Sequence, residues 1–404
     1  MKHLRSGAAA TEPQSGSSGE AGLPASRTLK MLNVLNVITD TNIGGAGLVL
    51  VNYYRRADRE RFAHAAVVPE GSRLAPRLRA LGIETVELPG IADRSFDRGS
   101  IDIFLRLFRE RKPDIVHTHA SLSARIAARR YGKCGIVHTR HCAYTLPKRS
   151  KSFPLKQISG FINNRYSDAV IAVSPSAAKN LTDLGADPRK ITVMMNGAER
   201  VRSLTAEERA AARLRFGIGF GDFVCAMAAR FSPEKGHRVA LDAAERLSGG
   251  TVTFLFAGDG AIFEEIKAEA ARRGLTNCLF PGFEEDVAEV YGAADVVLNC
   301  STDSETSSLA IIEAMSAGLA VVASDVCGNP VLLGGGECGI LVPPGDGAAL
   351  ADAITRLEGD RVLLAQLGGE AERRYSARYT AEIMARNIEN VYGKAAGGRA
   401  ADRN

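Results

Sequence analysis

The chain has 404 residues, 45% of them apolar and 24% charged, with no Trp and a net charge of +5. That size and balance suit two domains with sizeable cores rather than one. Seven Cys (Cys134, Cys142, Cys225, Cys278, Cys300, Cys327 and Cys338) form no CxxC pair and no disulfide framework, which points to a reducing compartment. No apolar stretch approaches the ~20 residues of a spanning helix, so any membrane association is expected to be peripheral.

Residues 1–30 are dominated by Ser, Gly, Pro and Ala without a continuous apolar stretch, and read as a disordered tail rather than a signal peptide. From Met31, short apolar runs alternate with helical stretches: MLNVLNVI, AHAAVVPE, IETVELPG, PDIVHTH, GIVHTRH, DAVIAVSPS and ITVMMNGAE. Each run ends in polar residues or Gly, the pattern of a parallel sheet covered on both faces. The period stops at RVRSLTAEERAAARLRFGIGFGD, a charged connector, and restarts with FVCAMAARF, TVTFLFAGDG, NCLFPGF, ADVVLNCS and LAVVASD. The fold expected is therefore α/β, two Rossmann-like domains in tandem with a boundary near Glu199 to Thr205. Late helical stretches are expected around Leu350 to Arg374 and Ala381 to Tyr392. The domains expected are 31–200 and 201–378. A helix at 379–393 is a candidate to pack back on the first domain, and 394–404 is read as a disordered tail.

Ligands of such sheets bind beyond the carboxyl ends of the strands. After the first run, TDTNIGGAGLVL turns into a helix at Gly44, Gly45 and Gly47, where free N–H groups could face an anion. It fails as a dinucleotide fingerprint, because Leu50 stands where the third Gly should be. LLGGGECG at 332–339 has the spacing GxGxxG, but ILVPPGD follows it instead of a helix. Neither a P-loop nor an Asp-x-Asp pair is present; the nearest to the latter is Asp303-Ser-Glu305. His117, His119, His138 and His141 cluster with Cys134 and Cys142, yet lack the short paired spacings of a zinc site. An imidazole pair lining a small-molecule cleft and separate structural roles for each His both remain open. In MAARFSPEKG, Arg230 and Lys235 share one loop, a pairing that suits a phosphate group.

The stretch DSETSSLAIIEAMSAG sets Glu305 just before an apolar helix and Glu313 inside it. A carboxylate there needs a partner or a ligand unless it lies on a narrow solvated stripe. Ser307 and Ser308 stand at the probable N-terminus, where backbone N–H groups favour phosphate. Charge is also uneven: residues 115–167 contain ten basic residues and no acid. Their second half interleaves Lys and Arg with Leu146, Phe153, Leu155, Ile158, Phe161 and Ile162. Anionic lipid or a phosphorylated acceptor would meet such a surface, and a merely solvated basic face is the alternative. Nucleic acid is disfavoured, since no recognition motif accompanies the charge.

RFSPEKG, AGDG, FPGFEEDV, the pair Glu305 and Glu313 followed by EAMSAG, and GILVPPGD, in this order, resemble the family 4 glycosyltransferases of the GT-B fold. NVLNVITDTNIGGAG, DIVHTHAS and VSPSAAKNLTDLGADPRKITVMMNGAE extend the likeness to about Met31 to Tyr392. The resemblance implies two Rossmann-like domains facing across a cleft and retaining transfer of a sugar from a nucleotide-sugar donor, UDP- or GDP-linked, without a catalytic metal or other cofactor. It implies that Arg230 and Lys235 hold the donor diphosphate, Glu305 contacts the transferred sugar and Glu313 the ribose. His119 would lie near the donor sugar, Gly44 and Gly45 near the phosphates, and the main chain at Phe283 near the base. Gly258, Ser307, Ser308 and Leu309 fall among the donor-contacting positions. Thr306 departs from the pattern, since Gly commonly follows the first Glu. The acceptor implied is lipid-linked or a saccharide, in polysaccharide or glycolipid synthesis at the cytoplasmic face of a membrane. A sugar-nucleotide binder without turnover and a nonhydrolysing epimerase of the same fold are the alternatives.

Overall fold

A computed structural model of the protein describes residues 30–143 and 146–401. The tail expected at 1–30 lies, but for Lys30, outside them. Seven strands form the first sheet: β1 (Leu32–Ile38), β2 (Phe62–Pro69), β3 (Glu84–Leu88), β4 (Ile115–His119), β5 (Gly135–Arg140), β6 (Ala169–Ala172) and β7 (Ile191–Val193). They run parallel in the order β3-β2-β1-β4-β5-β6-β7. Six more form the second: β8 (Phe223–Ala228), β9 (Val252–Ala257), β10 (Cys278–Gly282), β11 (Val296–Asn299), β12 (Ala320–Ser324) and β13 (Ile340–Val342). Their order is β10-β9-β8-β11-β12-β13, again parallel. Helices cover both faces, which is why β9, β11 and β12 are largely apolar runs buried along their whole length, as is β4 with its buried His117, Thr118 and His119. Each sheet reverses its order once, at β1/β4 and at β8/β11, and it is beyond such switch points that open α/β sheets bind ligands.

The connector becomes the helix Ala206–Arg215, started by a capping box in which Thr205 and Glu208 satisfy each other's backbone N–H. The chain crosses between domains near Ala198 and returns at Tyr379 to Ala381. The two crossings hydrogen-bond side by side, Ala198 N–H to Tyr379 O at 3.0 Å and Ala381 N–H to Ala198 O at 2.9 Å.

Three expectations are corrected. β13 was not expected as a strand; only three residues precede Pro343-Pro344, too few to show a period. The stretch 350–374 is two helices, Gly347–Gly359 and Arg361–Arg378, divided at Asp360, whose side chain caps the second by accepting from Leu363 N–H. The tail expected at 394–404 is helical as far as Ala401, because the helix Ala381–Ala401 continues through it. Met384, Ile388, Val391, Tyr392 and Ala395 recur at helical spacing past residue 393 and bury against Val137, Tyr53 and Phe62 of the first domain.

Candidate active site

The two switch points meet in the cleft. From the second domain, the segment after β8 carries Arg230 and leads into a turn, Pro233–Lys235, that carries Lys235. Gly236 closes that turn at φ +74°, and a Cβ there would lie 1.9 Å from Cys300 O. Only Gly lets the loop close down on the end of β11. The consequence is a contact between loop and strand end: Lys235 Nζ lies 2.5 Å from Glu305 Oε2. Ser301 Oγ donates to the same oxygen at 2.8 Å. Glu305 is buried, so this lysine meets the requirement that a buried carboxylate be paired. Arg230 remains mostly exposed, its guanidinium paired with Glu234 at 3.1 Å.

The helix Leu309–Ser316 follows. Ser308 caps it, Oγ accepting from Ile311 N–H, and Asn299 Nδ2 fixes the same hydroxyl at 3.0 Å. The first-turn N–H groups of such a helix have no partners within it; Ser308 takes that of Ile311, and the others are the kind of donors that suit an anion. Glu313 lies partly buried on this helix. Its partner is the Tyr291 hydroxyl, which donates to Oε2 at 3.1 Å. Burial pushes its carboxyl up to about 7, against the small opposing effect of that hydrogen bond. Glu313 shares a narrow half-exposed stripe with Leu309, Ala310 and Ala317, while Ile311, Ile312 and Met315 on the opposite face are fully buried.

AGDG closes against the loop of Arg230: Gly258 N–H donates to Gly282 O at 2.7 Å, and Phe231 N–H to Asp259 O at 2.8 Å. Phe283 lies one residue beyond, its ring exposed. The first domain presents Gly44, which caps the helix Gly45–Arg56, and Gly45, which faces open space. Asp40 precedes them. Burial is the chief reason its carboxyl is raised, and Arg230 across the cleft opposes the shift.

His119, at the end of β4, is buried in an imidazole stack. Its Nδ1 lies 2.9 Å from His141 Nε2, and the His117 ring centroid is 4.4 Å away. Burial drives the pKa of His119 well below its ordinary value and that of His141 to about 4, so these rings are neutral at pH 7. His119 Nε2 is buried without a hydrogen-bond partner among the described residues, beside a cavity of about 20 Å³ shared with His117, Thr139 and Asn196. Among the described residues no group of three or more His, Cys, Asp or Glu is placed to hold a metal ion.

Several cleft residues have roles between domains that the sequence did not show. Thr306 Oγ1 donates to His141 O at 2.5 Å. Its own carbonyl is pressed against Gly328, where a Cβ would lie 1.6 Å from it. Asn196 binds Ser307 twice at 2.8 Å, N–H to Oγ and Nδ2 to the carbonyl. Leu309 packs against the cores of both domains. Structure thus gathers Arg230, Lys235, Glu305, Ser308 and Glu313 on one wall, while Ser307 and Leu309 join the walls together. Asp40 and Asn196 lie inside quoted stretches of the first domain without being singled out there, and Tyr291 carried no motif.

Residues 43–202 match the family described as Glycosyltransferase Family 4, and residues 222–360 the family described as Glycosyl transferases group 1. A D-inositol 3-phosphate glycosyltransferase of Rhodococcus erythropolis is 31% identical over 303 residues, covering 70% of this chain and 68% of the relative. The UDP-Gal:alpha-D-GlcNAc-diphosphoundecaprenol alpha-1,3-galactosyltransferase of Escherichia coli is 28% identical over 279 residues, 66% of this chain and 72% of the relative. Among solved structures, Anabaena HepE in complex with UDP and glucose superposes with a TM-score of 0.78 at 22% identity, over 90% of this chain and 99% of that one. Its architecture, two facing Rossmann-like domains, is the fold of this chain.

Proposed function

The chain belongs to glycosyltransferase family 4, and from that premise we propose that it moves a sugar from a UDP- or GDP-linked donor to a lipid-linked or saccharide acceptor, with retention at the anomeric carbon. The observation that carries the reading is the Lys235–Glu305 pair at the end of β11, with Arg230 exposed beside it.

In this proposal Arg230 and Lys235 take the donor diphosphate, with the first turn of the helix Leu309–Ser316 completing the anion site. The bond from the anomeric carbon to the diphosphate oxygen breaks, and its electron pair leaves on the diphosphate. Two cations and a helix N-terminus are fixed where that charge develops, which is where preorganised electrostatics lower a barrier. The acceptor hydroxyl attacks the face from which the diphosphate departs, and its proton passes to a departing phosphate oxygen. Retention follows from this same-face geometry. Glu305, with one oxygen held by Lys235 and Ser301, offers the other to hydroxyls of the transferred sugar. Glu313 accepts from the ribose hydroxyls. Neutral His119 lies on the first-domain side near the sugar, its Nδ1 against His141 and its Nε2 facing the small buried cavity, and the main chain around Phe283, with Gly258, borders the base.

The E. coli relative is named for UDP-galactose as donor and a diphosphoundecaprenol as acceptor, and the R. erythropolis relative for inositol 3-phosphate. UDP and a phosphorylated acceptor are therefore the first pair to try, with polysaccharide or glycolipid assembly at the inner face of the plasma membrane as the setting. No described helix is long and apolar enough to cross a membrane. The test is labelled UDP- and GDP-sugars offered with a bacterial lipid extract. Acceptor-dependent release of nucleoside diphosphate and an anomer matching the donor's support the proposal. Release that is unchanged in Lys235→Ala would sink the assignment of the site.

A further inference from the structure

The segment that leaves the cleft at His141 leads into the helix Leu155–Arg165, which buries a single residue, Gly160. At about 100° per residue, Gly160 and Asn164 share one side. That side is the anchor: a Cβ on Gly160 would lie 2.6 Å from Gly185 O, and Asn164 Nδ2 donates to the same carbonyl at 3.1 Å. The opposite arc, about 120° wide, presents Leu155, Ile158, Phe161 and Ile162. Phe153 is 81% exposed, Leu155 44%, Ile158 52% and Phe161 64%. Exposed apolar side chains gathered on one arc, with exposed Phe153 just before it, mark an interaction surface rather than scattered surface apolar residues.

The charge carried by this helix and the segment before it is of one sign. Of the ten basic residues in 115–167, Arg125 is buried, Arg129 pairs with Asp168, and Lys151, though exposed, pairs with Asp183. Arg149, Lys156 and Arg165 stay exposed, and Arg165 falls within the apolar arc. A second copy of this chain docked on the same face would set these cations against one another, whereas an anionic bilayer complements both the charge and the stripe.

We propose that Phe153 and the helix Leu155–Arg165 form a membrane-docking face that seats the first domain on an anionic lipid surface, with the phenyl rings and Leu155, Ile158 and Ile162 entering the headgroup boundary. The inference rests on the reading of the acceptor as lipid-linked: the docked face lies one segment from the cleft, so a lipid-borne acceptor would reach His141 along the protein's surface.

Flotation of the full chain with phosphatidylglycerol vesicles, phosphatidylcholine vesicles and no vesicles tests this. Binding to the anionic vesicles, weakened by salt and lowered about tenfold or more in Phe153→Ser/Phe161→Ser and in Arg149→Glu/Lys156→Glu, is the expected result. Both variants should keep the wild-type melting temperature and nucleotide-sugar affinity, because neither touches the cleft. Equal flotation of wild type and variants, absence of wild-type binding, or a wild-type dimer in sedimentation that the variants abolish would each overturn the proposal. Loss of donor binding in the wild type would instead strike the transferase reading and leave the flotation result standing by itself.

Discussion

Replacing Glu313 by Gln should make the protein more stable and its site worse. The carboxyl titrates near 7 in the fold because burial disfavours its charge, against an ordinary value of 4.5. Below pH 4.5 it is protonated whether the chain is folded or not, and contributes no pH dependence. Between 4.5 and about 7 the unfolded chain has released the proton and the folded chain still holds it, so stability falls as pH rises. Above 7 both states are ionised and the penalty stays constant. At about 1.4 kcal/mol per pH unit that penalty is on the order of 3 kcal/mol, an upper figure for a partly buried group. Gln removes the titration and keeps a carbonyl for the Tyr291 hydroxyl. Urea unfolding of wild type and Glu313→Gln across pH 4.5–8.5 should therefore give curves whose difference is near zero in acid and grows to roughly 1–3 kcal/mol in favour of the variant above pH 7. Ribose hydroxyls that donate to the carboxylate would favour its ionised form, so wild-type nucleotide affinity should rise with pH up to about 7. The variant should bind more weakly and without that slope. A stability difference that does not change with pH, or that grows toward acid, would refute the reasoning.

Gly236→Ala should be among the most damaging single substitutions in the second domain. A methyl 1.9 Å from Cys300 O at φ +74° cannot be absorbed without moving the loop of Arg230 and Lys235, and a cost on the order of 3 kcal/mol should appear as a lower urea midpoint. Lys235→Ala leaves the buried Glu305 carboxylate without its cation, so it should lose transfer activity by a hundredfold or more and also destabilise the fold. Glu305→Gln in the same background should recover the stability and none of the activity, which separates charge pairing from catalysis. Thr306→Val leaves His141 O unpaired in the seam between domains at a cost of about 1–2 kcal/mol, while Thr306→Ser should keep the bond. Donor affinity measured beside thermal melting should show Val weaker and Ser close to wild type.

Most of the sheet was legible in the sequence because strands buried on both faces are continuous apolar runs, as in TVTFLFAG and ADVVLNC. β13 escaped because three residues show no period, and the end of the C-terminal helix escaped because Gly and Ala in KAAGG hide that Ala395 continues the buried face of Met384 and Tyr392. The donor wall was legible in the order of its motifs. What joins the domains was not: Asn196 and Ser307 stand 111 residues apart, and Thr306 and His141 stand 165 apart. No local pattern marks either pair. Thr306 is the clearest case. In sequence it is a departure from a Gly position, and in the structure its hydroxyl ties the loop of Glu305 to the loop that carries His141, the hydrogen-bond partner of His119. Likewise the ten basic residues of 115–167 read as one field until burial and pairing left a smaller exposed set around one apolar arc.

The most direct test of sugar transfer at this cleft is titration calorimetry of UDP-, GDP- and other nucleotide sugars into wild type, Lys235→Ala and Glu313→Gln. One class of donor should bind the wild type, and both variants should lose at least tenfold in affinity while remaining folded. Undiminished binding in both variants, or no nucleotide sugar bound by the wild type, would contradict the assignment of this cleft as the donor site.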